Sequence, residues 1–190
     1  MHGVAAALTT MPRTTTSDDM RLATGCAAGD TSVFEEIYRE HAERMKSIAF
    51  NHLGNPSDAE DAVQETFLKL HRSASTYNGA SAFTTWMYRV LINTCYDALR
   101  RRQRRIQETP IDDTLAAVRP GASVDDAKRI TLRNMLAELP EQRRSVFVLF
   151  EIEGLSHAEI AEILNISEGN SKWILFATKK QLQEQWKSQS

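Results

Sequence analysis

The spacing of the apolar residues limits more than any other feature what this chain can fold into. Apolar residues recur every three or four positions in almost every segment, and none alternates with polar residues, as a half-buried strand would, over more than a few positions. The segment from Asp30 to Leu53 shows the pattern well, since its apolar residues fall on one helical face: Val33, Phe34, Ile37, Tyr38, Ala42, Met45, Ile48 and Ala49. The sequence therefore predicts an all-α fold.

Start and stop signals divide this pattern into separate helices. The predicted helices cover approximately these residues: 18–28, 30–53, 57–72, 82–105, 124–139, 140–153, 156–165 and 167–186. Capping boxes are predicted where Ser57 is followed by Glu60 and where Ser156 is followed by Glu159. Pro140 is expected in the first turn of its helix, where proline is tolerated.

The helical spacing fails between residues 106 and 123, which contain two prolines and a glycine. The stretch from Glu108 to Asp126 holds five acidic residues against one arginine. We therefore predict two small helical domains, at 18–105 and 124–190, joined by a flexible acidic linker over 106–123. The first 17 residues, rich in alanine and threonine, are expected to be a disordered tail.

Composition and motif content argue against several classes of function. The net charge of −2 does not suit a non-specific nucleic-acid coat protein, and no apolar run approaches the length of a membrane span. Cys26 and Cys95 lie far apart, which indicates reduced thiols in the cytoplasm. The sequence has no metal-ligand spacing, phosphate-binding glycine loop or nucleophile elbow. We expect no enzyme activity, no cofactor and no metal.

The segment from Leu155 to Lys172 predicts a helix-turn-helix, the commonest device for placing a helix in the DNA major groove. Ala161 would let the two helices cross closely, and Asn165 tolerates the left-handed conformation that the turn needs. The alternative is an ordinary two-helix hairpin within a bundle, which would show the same apolar pattern.

The helix predicted over 82–105 begins with aromatic, hydroxyl and cationic residues, and five of its last six residues are arginine. Aromatic rings stack on bases while arginines contact phosphates, so this composition suits single-stranded or melted nucleic acid. The alternative is a core helix with a solvated basic end.

The helix predicted over 57–72 carries four carboxylates between Asp58 and Glu65, on a side away from its apolar residues. Such a face suits a basic partner surface. It would equally suit a solvated face whose first-turn acids complement the helix dipole.

Together these segments resemble one family, the small two-domain extracytoplasmic-function (ECF) sigma factors of bacteria. Residues 58–68 resemble the family's core-polymerase-binding helix, and residues 81–93 followed by 97–102 resemble its promoter-melting helix. Residues 136–161 resemble its second domain. The resemblance covers most of the chain, and the order of the three segments makes it specific.

The resemblance implies roles for individual residues. Those implied to bind core RNA polymerase are Asp58, Glu60, Asp61, Val63, Gln64, Glu65 and Phe67. Those implied to contact and melt the minus-10 promoter element are Tyr77, Asn78, Ser81, Thr84, Thr85, Trp86, Tyr88, Arg89, Asn93, Arg100, Arg101 and Arg102. Those implied to read the minus-35 element through the helix-turn-helix are Ser156, Ser167, Glu168, Asn170, Ser171, Lys172, Trp173 and Lys179. One flipped base is expected in a pocket near the loop from Tyr77 to Ser81.

The last helix departs from the family pattern. Ser171 stands where the family has a buried valine, and Ile174 and Ala177 stand where it has arginines. Trp173 and Phe176 are large and apolar on a surface expected to face phosphates. Three explanations stay open: the helix reads an unusual promoter, it binds a protein, or the domain has lost DNA reading.

The resemblance implies a sigma factor that directs RNA polymerase to promoters and assists their melting. Its expected partners are core RNA polymerase, promoter DNA and an anti-sigma factor. The alternative is a sigma-like regulator that binds polymerase or another partner without initiating transcription.

Overall fold

A computed structural model describes residues 16–108 and 124–189, and no strand occurs within these ranges. The helices are α1 Ser17–Ala28, α2 Thr31–Leu53, α3 Pro56–Ser73, α4 Phe83–Glu108, α5 Val124–Glu138, α6 Glu141–Phe147, α7 His157–Leu164 and α8 Glu168–Gln189. A 3₁₀ turn, Ala74–Thr76, follows α3, and a π-helical turn, Val148–Ile152, continues α6. The predicted all-α class is confirmed. Of the predicted tail and linker, residues 1–15 and 109–123 lie outside the described residues.

Capping residues fix most of these helix ends. Thr16 and Asp19 form a capping box at the start of α1, so the structured part begins before the predicted end of the tail. Gly29 and Gly54 end α1 and α2 with φ angles of 73° and 74°, a left-handed conformation that glycine adopts without steric cost.

The predicted capping box at Ser57 and Glu60 is wrong, because α3 begins earlier. Pro56 occupies its first turn, and the side chain of Asn55 accepts hydrogen bonds from the amides of Ser57 and Asp58 at 2.8 and 3.4 Å. Proline suits this position since its missing N–H would have no helical partner there. Pro140 also lies one position earlier than predicted, as the N-cap of α6.

The first helical unit is built on α2, α3 and α4, with α1 packed across them. Each helix turns its apolar face inward, and removal of this apolar surface from water is what stabilises the bundle. The largest side chains in its centre are fully buried: Ile37, Met45, Ile48, Leu70, Phe83, Met87, Leu91 and Ile92.

The second helical unit consists of α5 to α8. Under the α7–α8 corner, Ile160, Ile163 and Ile174 are buried. A separate cluster joins the other end of the unit, where Leu139 packs with Met135, Leu136 and Leu182.

The two units pack against each other, which the sequence pattern did not predict. One continuous apolar cluster includes residues of α2 to α4 together with Val146, Leu149 and Ile160. A polar network crosses the same contact: His52 Nε2 and the Tyr96 hydroxyl lie 2.8 and 2.6 Å from the Ser145 hydroxyl. The molecule therefore has a closed arrangement in which its halves share a core.

Candidate nucleic-acid and protein interfaces

The acidic residues predicted on α3 form a largely solvent-exposed face. Glu60, Asp61 and Gln64 are exposed, and Asp58 is half-buried in the first turn. The opposite side of the helix is apolar, because Val63 is buried and Phe67 packs edge-on against Phe34 with ring centroids 6.3 Å apart. The helix thus holds its carboxylates outward on a rigid, amphipathic element.

Two exposed apolar side chains accompany this acidic face, and one of them, Tyr38, is expected from the sequence on the apolar face of its helix. Leu68 on α3 is 57% exposed, and Tyr38 on α2 is 51% exposed, its ring 5.7 Å from that of Phe67. Leu68 follows Asp61 by seven residues and Gln64 by four, so all three share one helical face. The signal in the sequence is its phase: Leu68 lies out of step with Val63, Phe67 and Leu70.

The arginine cluster at the end of α4 lies beside the acidic face and is partly paired with it. Arg101 contacts Glu65 at 3.1 Å, and Arg100 lies 3.8 Å from Glu141. Burial raises the pKa of Glu65, but the hydrogen bond from Arg101 and the charge of Lys69 outweigh burial and leave it below its ordinary value. Exposed ion pairs of this kind contribute little stability, so a phosphate can replace the carboxylate at low cost.

The loop before α4 and the first turn of α4 form an aromatic corner. The ring of Trp86 lies 5.6 Å from that of Tyr77 and 5.5 Å from that of Phe83. The Tyr77 hydroxyl donates to the carbonyl of Ser81 at 2.6 Å, and the Asn78 side chain accepts from the amide of Ala80 at 3.0 Å. These bonds hold the loop in one shape without a regular element.

A cleft of about 500 Å³ opens between this loop and α7. One wall contains Tyr77, Asn78, Ser81, Trp86 and Arg89, and the other contains Ala161, Glu162, Asn165 and Ile166. Arg89 donates to the carbonyl of Glu162, while its Nε atom is buried with no hydrogen-bond partner among the described residues. The predicted base-binding loop therefore lies at the contact between the two helical units.

The helix-turn-helix forms as predicted. Ser156 and Glu159 make a capping box at the start of α7, and Asn165 ends that helix in the left-handed region with φ 53°. Ser167 accepts a hydrogen bond from the amide of Asn170 at 3.1 Å, which caps α8. The two helices meet at a corner fixed by caps at both sides of the turn.

The unusual Ser171 is accommodated inside this corner. It is buried, and its hydroxyl lies 2.9 Å from Nδ1 of His157, whose ring stacks on Phe150 with centroids 4.5 Å apart. Burial and then the charge of Lys172 lower the pKa of His157, so neutral imidazole is the favoured partner of the hydroxyl. Ile174, at a position where the family has an arginine, is also buried and packs in the core.

The outer face of α8 is more apolar than the face of a helix that only contacts phosphates. Trp173 and Phe176 are 59% and 70% exposed. Lys172 is paired with Glu168 at 2.6 Å, and Lys179 with Glu151 at 2.9 Å.

Comparison with known proteins identifies both helical units. Residues 37–105 match the family model for Sigma-70 region 2, and residues 129–182 match that for Sigma-70 region 4. The chain is 30% identical over 154 residues to the ECF RNA polymerase sigma factor SigM of Mycobacterium tuberculosis, covering 81% of this chain and 77% of that protein. It is 34% identical to the ECF RNA polymerase sigma factor SigF of Caulobacter vibrioides, covering 82% and 87%.

The chain belongs to the ECF sigma factors. Solved structures share its fold. The structure of CnrH in complex with the cytosolic domain of CnrY matches with a TM-score of 0.68 and 20% identity, covering 90% of this chain and 99% of that one. The structure of the sigma factor RpoE in complex with the anti-sigma factor NepR from Bartonella quintana matches with a TM-score of 0.65 and 22% identity, covering 81% of this chain and 96% of that one. Sigma factors are transcription initiation factors.

Not all residues predicted to contact partners are accessible in this ECF sigma factor. The buried ones are Val63, Tyr77, Thr85, Tyr88 and Ser171. Four of them lie inward because their positions on α3, α4 and α8 coincide with the apolar faces that form the core. Tyr77 packs from the loop before α4 against Phe83 and Trp86. Their burial in this closed arrangement argues against direct contact of these side chains with polymerase or DNA. The exposed members include Glu60, Asp61, Gln64, Asn78, Asn93, Arg100, Arg101, Arg102, Asn170, Lys172 and Trp173.

The two cysteines of this ECF sigma factor are shielded by the core. Cys26 and Cys95 are buried free thiols, and burial raises their pKa to about 11 and about 12. Thiols with such values react slowly. Within residues 16–108 and 124–189, no group of three His, Cys, Asp or Glu side chains is placed to hold a metal ion, and no helix could span a membrane.

Proposed function

We propose that this ECF sigma factor uses three surfaces to bring RNA polymerase to specific promoters in the cytoplasm: the exposed face of α3 for polymerase, α4 and its preceding loop for the minus-10 element, and α7–α8 for the minus-35 element. The observation that carries the proposal is the presence of both sigma regions, in order, with the three surfaces on separate helices. The protein contributes binding and selectivity, and catalysis belongs to the polymerase.

The α3 face suits a basic polymerase surface. Glu60, Asp61 and Gln64 offer charge and hydrogen bonds, and exposed Leu68 adds an apolar contact beside them. Charge complementarity favours fast and specific encounter, while the apolar side chain adds affinity once the surfaces meet.

The Asp61→Arg variant tests this docking surface. We expect it to lose binding to core polymerase in a pull-down while keeping the far-UV circular dichroism of the wild type, because Asp61 is exposed. Glu184→Arg, the same charge reversal on the exposed side of α8, is the matched control and should bind normally. Normal polymerase binding by Asp61→Arg would refute docking through α3.

The end of α4 suits DNA phosphates. Replacing Arg100, Arg101 and Arg102 by alanine should weaken promoter complexes and flatten the dependence of their affinity on salt, because fewer counterions are released from the DNA. Filter binding of the holoenzyme between low and physiological salt measures both quantities. An unchanged salt slope would count against phosphate contacts at these arginines.

An anti-sigma factor is the regulator that we propose for this protein. The support comes from solved relatives, one of which is a complex of a sigma factor with an anti-sigma factor. Such a partner would act by covering the α3 face or by holding the two helical units in their closed arrangement.

Run-off transcription with purified core polymerase decides between initiation and the alternative of a non-initiating regulator. Specific transcripts from genomic promoter fragments support a sigma factor. Binding to polymerase without a transcript from any fragment would favour the regulator. Absence of polymerase binding would refute the sigma factor and leave only a regulator that binds another partner.

A further inference from the structure

Trp173 and Phe176 form an exposed aromatic pair on α8, named the recognition-helix patch from here on. The two residues are three positions apart and share the outer face with Gly169 and Lys180, one turn before and one turn after them. A Cβ atom at Gly169 would meet nothing within 4 Å, so the backbone there is open to close approach. The patch lies on the first turns of the second helix of a helix-turn-helix, where base contacts are made.

We propose that the recognition-helix patch reads thymine C5-methyl groups in the major groove of the upstream promoter element. This inference rests on the proposed function, since it assigns base chemistry to the same helix. The thymine methyl is the apolar group that base pairs present in the major groove, and apolar side chains are its complement.

The packing beneath α8 favours the explanation that this domain reads DNA over the explanation that it has lost DNA reading. Two of the residues that depart from the family pattern are absorbed by the core: Ser171 is buried against His157, and Ile174 is buried in the corner. The two caps and the left-handed Asn165 keep the turn in its helix-turn-helix geometry. The outer face of α8 is therefore still presented as in a helix that enters the major groove.

The charges on α8 favour DNA but limit the strength of its own contacts. The helix contains four lysines, two glutamates and no arginine, so it attracts a polyanion without bidentate phosphate or guanine contacts. In its first three turns the single cation, Lys172, is paired with Glu168. Affinity must then come mainly from polymerase and α4, and α8 adds selectivity as one part of a multivalent complex.

The size of the patch argues against a protein partner. Two partly exposed aromatic rings offer on the order of 300 Å², whereas a stable protein interface needs about 800 Å² from each partner. The neighbouring exposed residues, Asn170, Lys172 and Lys180, are polar. Small apolar groups between hydrogen-bonding base edges fit this surface better than an extended apolar interface.

The first experiment selects upstream elements with the holoenzyme. Promoter templates with a fixed downstream element and a randomised upstream element are incubated with holoenzyme containing the full chain, and retained templates are sequenced. We expect thymine to be enriched at one or more adjacent positions. The Trp173→Ala/Phe176→Ala double variant should lose this enrichment, whereas Trp186→Ala, at another exposed tryptophan of α8, should keep it.

The second experiment removes only the methyl groups. In the best template, upstream thymines are replaced by deoxyuracil, which keeps every hydrogen bond. Open-complex formation by the wild type should fall about fourfold for each contacted methyl, as expected from the burial of one apolar carbon. The double variant should not distinguish the two templates, and a thermal melt confirms that it is folded.

The outcomes separate this inference from the proposed function. Specific wild-type transcription that is indifferent to uracil overturns the methyl reading and leaves the sigma function intact. The methyl reading is also overturned if the folded double variant still discriminates thymine from uracil. That result holds even if the variant has lost binding to a protein, because the patch would then serve the protein and not the thymine methyl. Absence of any specific wild-type transcript would overturn the proposed function itself.

Discussion

Arg144 joins several segments of the molecule through one side chain. The residue is 6% exposed. Its guanidinium donates to four backbone carbonyls at 2.6 to 3.1 Å, those of His52, Leu136, Ala137 and Leu139. The carbonyls of Leu136 and Ala137 belong to the last turn of α5, where the usual donors four residues on are missing, and Leu139 directly follows the helix. Arg144 thus caps α5 and ties it to the end of α2.

Replacing Arg144 by methionine should destabilise the protein severely. The variant leaves several buried carbonyls without donors, and each such group costs about 1–3 kcal/mol. We expect the free energy of unfolding in urea to fall by at least about 3 kcal/mol, with non-additivity limiting the total. Arg143→Met, which loses only a hydrogen bond of 2.9 Å to Gln181, is the matched control. Similar losses for the two variants would contradict the capping role of Arg144.

His52 makes the closed arrangement sensitive to acid. It is buried at the contact with Ser145, and burial, with a smaller contribution from Arg144, lowers its pKa to about 4. The unfolded histidine titrates near 6.5, so as the pH falls the unfolded chain binds the proton first. The contribution of neutral His52 to the free energy of unfolding is fully present above about pH 6.5. It decreases by about 3 kcal/mol as the pH falls to about 4.

Urea denaturation at several pH values tests this. His52→Gln should be less stable than the wild type near pH 7.5 but should show a flatter decrease between pH 6.5 and 4. His71→Gln, at an exposed histidine of α3, should retain the wild-type slope. If His52→Gln keeps that slope too, the acid sensitivity comes from other groups.

At the scale of elements, the sequence predicts helices well where a capping residue marks the end. Gly29, Gly54, Ser156 and Asn165 each terminate or begin a helix within a residue of its predicted bound, because each acts through its own backbone or nearest amides. The start of α3 was misplaced since two competing N-caps, Asn55 and Ser57, lie two residues apart. The π-helical turn, Val148–Ile152, lies within a segment predicted as one ordinary helix, and nothing in the apolar spacing indicates it.

The candidate site could be predicted only in part for the same reason. The sequence places Asp61 and Arg101 on outward helix faces, since amphipathic spacing decides exposure there. It gives no means to see that Thr85 and Tyr88 face the core, because polar and aromatic residues occur in both environments. Exposure of Leu68 and the ring contact of Trp86 with Tyr77 depend on how distant helices pack.

Substitution of Leu139 tests whether α5, α6 and α8 pack together in one apolar cluster. Leu139 is buried with Met135, Leu136 and Leu182. Leu139→Ala should reduce the free energy of unfolding by about 2–5 kcal/mol through lost burial and an unfilled cavity. Leu68→Ala removes the same atoms from an exposed site of α3 and should change it by less than about 0.5 kcal/mol. A thermal melt in which both variants match the wild type would disprove this core assignment.

At the scale of the whole molecule, the loop proposed to bind a promoter base lies at the contact between the two helical units. The cleft at the loop from Tyr77 to Ser81 is walled on one side by α7, and Arg89 is engaged by the carbonyl of Glu162. In the proposed function, a promoter base bound at this loop would occupy the cleft and contact α7. The partnerless Nε of Arg89 costs free energy in the closed state, which lowers the cost of opening.

Glu153 is one of the polar links that hold the units together. Its carboxylate accepts from Arg44 at 3.2 Å and from the Ser47 hydroxyl at 2.7 Å, and its side chain is largely buried. Its backbone carbonyl also accepts from Arg44. These contacts join residues more than a hundred positions apart, which explains why no local pattern in the sequence reveals them.

Glu153→Ala should shift the population toward an open arrangement, because Ser47 loses its acceptor at the contact and Arg44 keeps only the backbone carbonyl of residue 153. Fluorophores on introduced cysteines at exposed Glu60 and Gln183 would report lower energy transfer, and the buried native thiols should not compete for label. Glu162→Ala is the control, since Arg89 binds only its backbone carbonyl and the substitution leaves that atom in place. Equal transfer in Glu153→Ala and the control, in variants that are both folded, would show that the side chain of Glu153 does not hold the units closed.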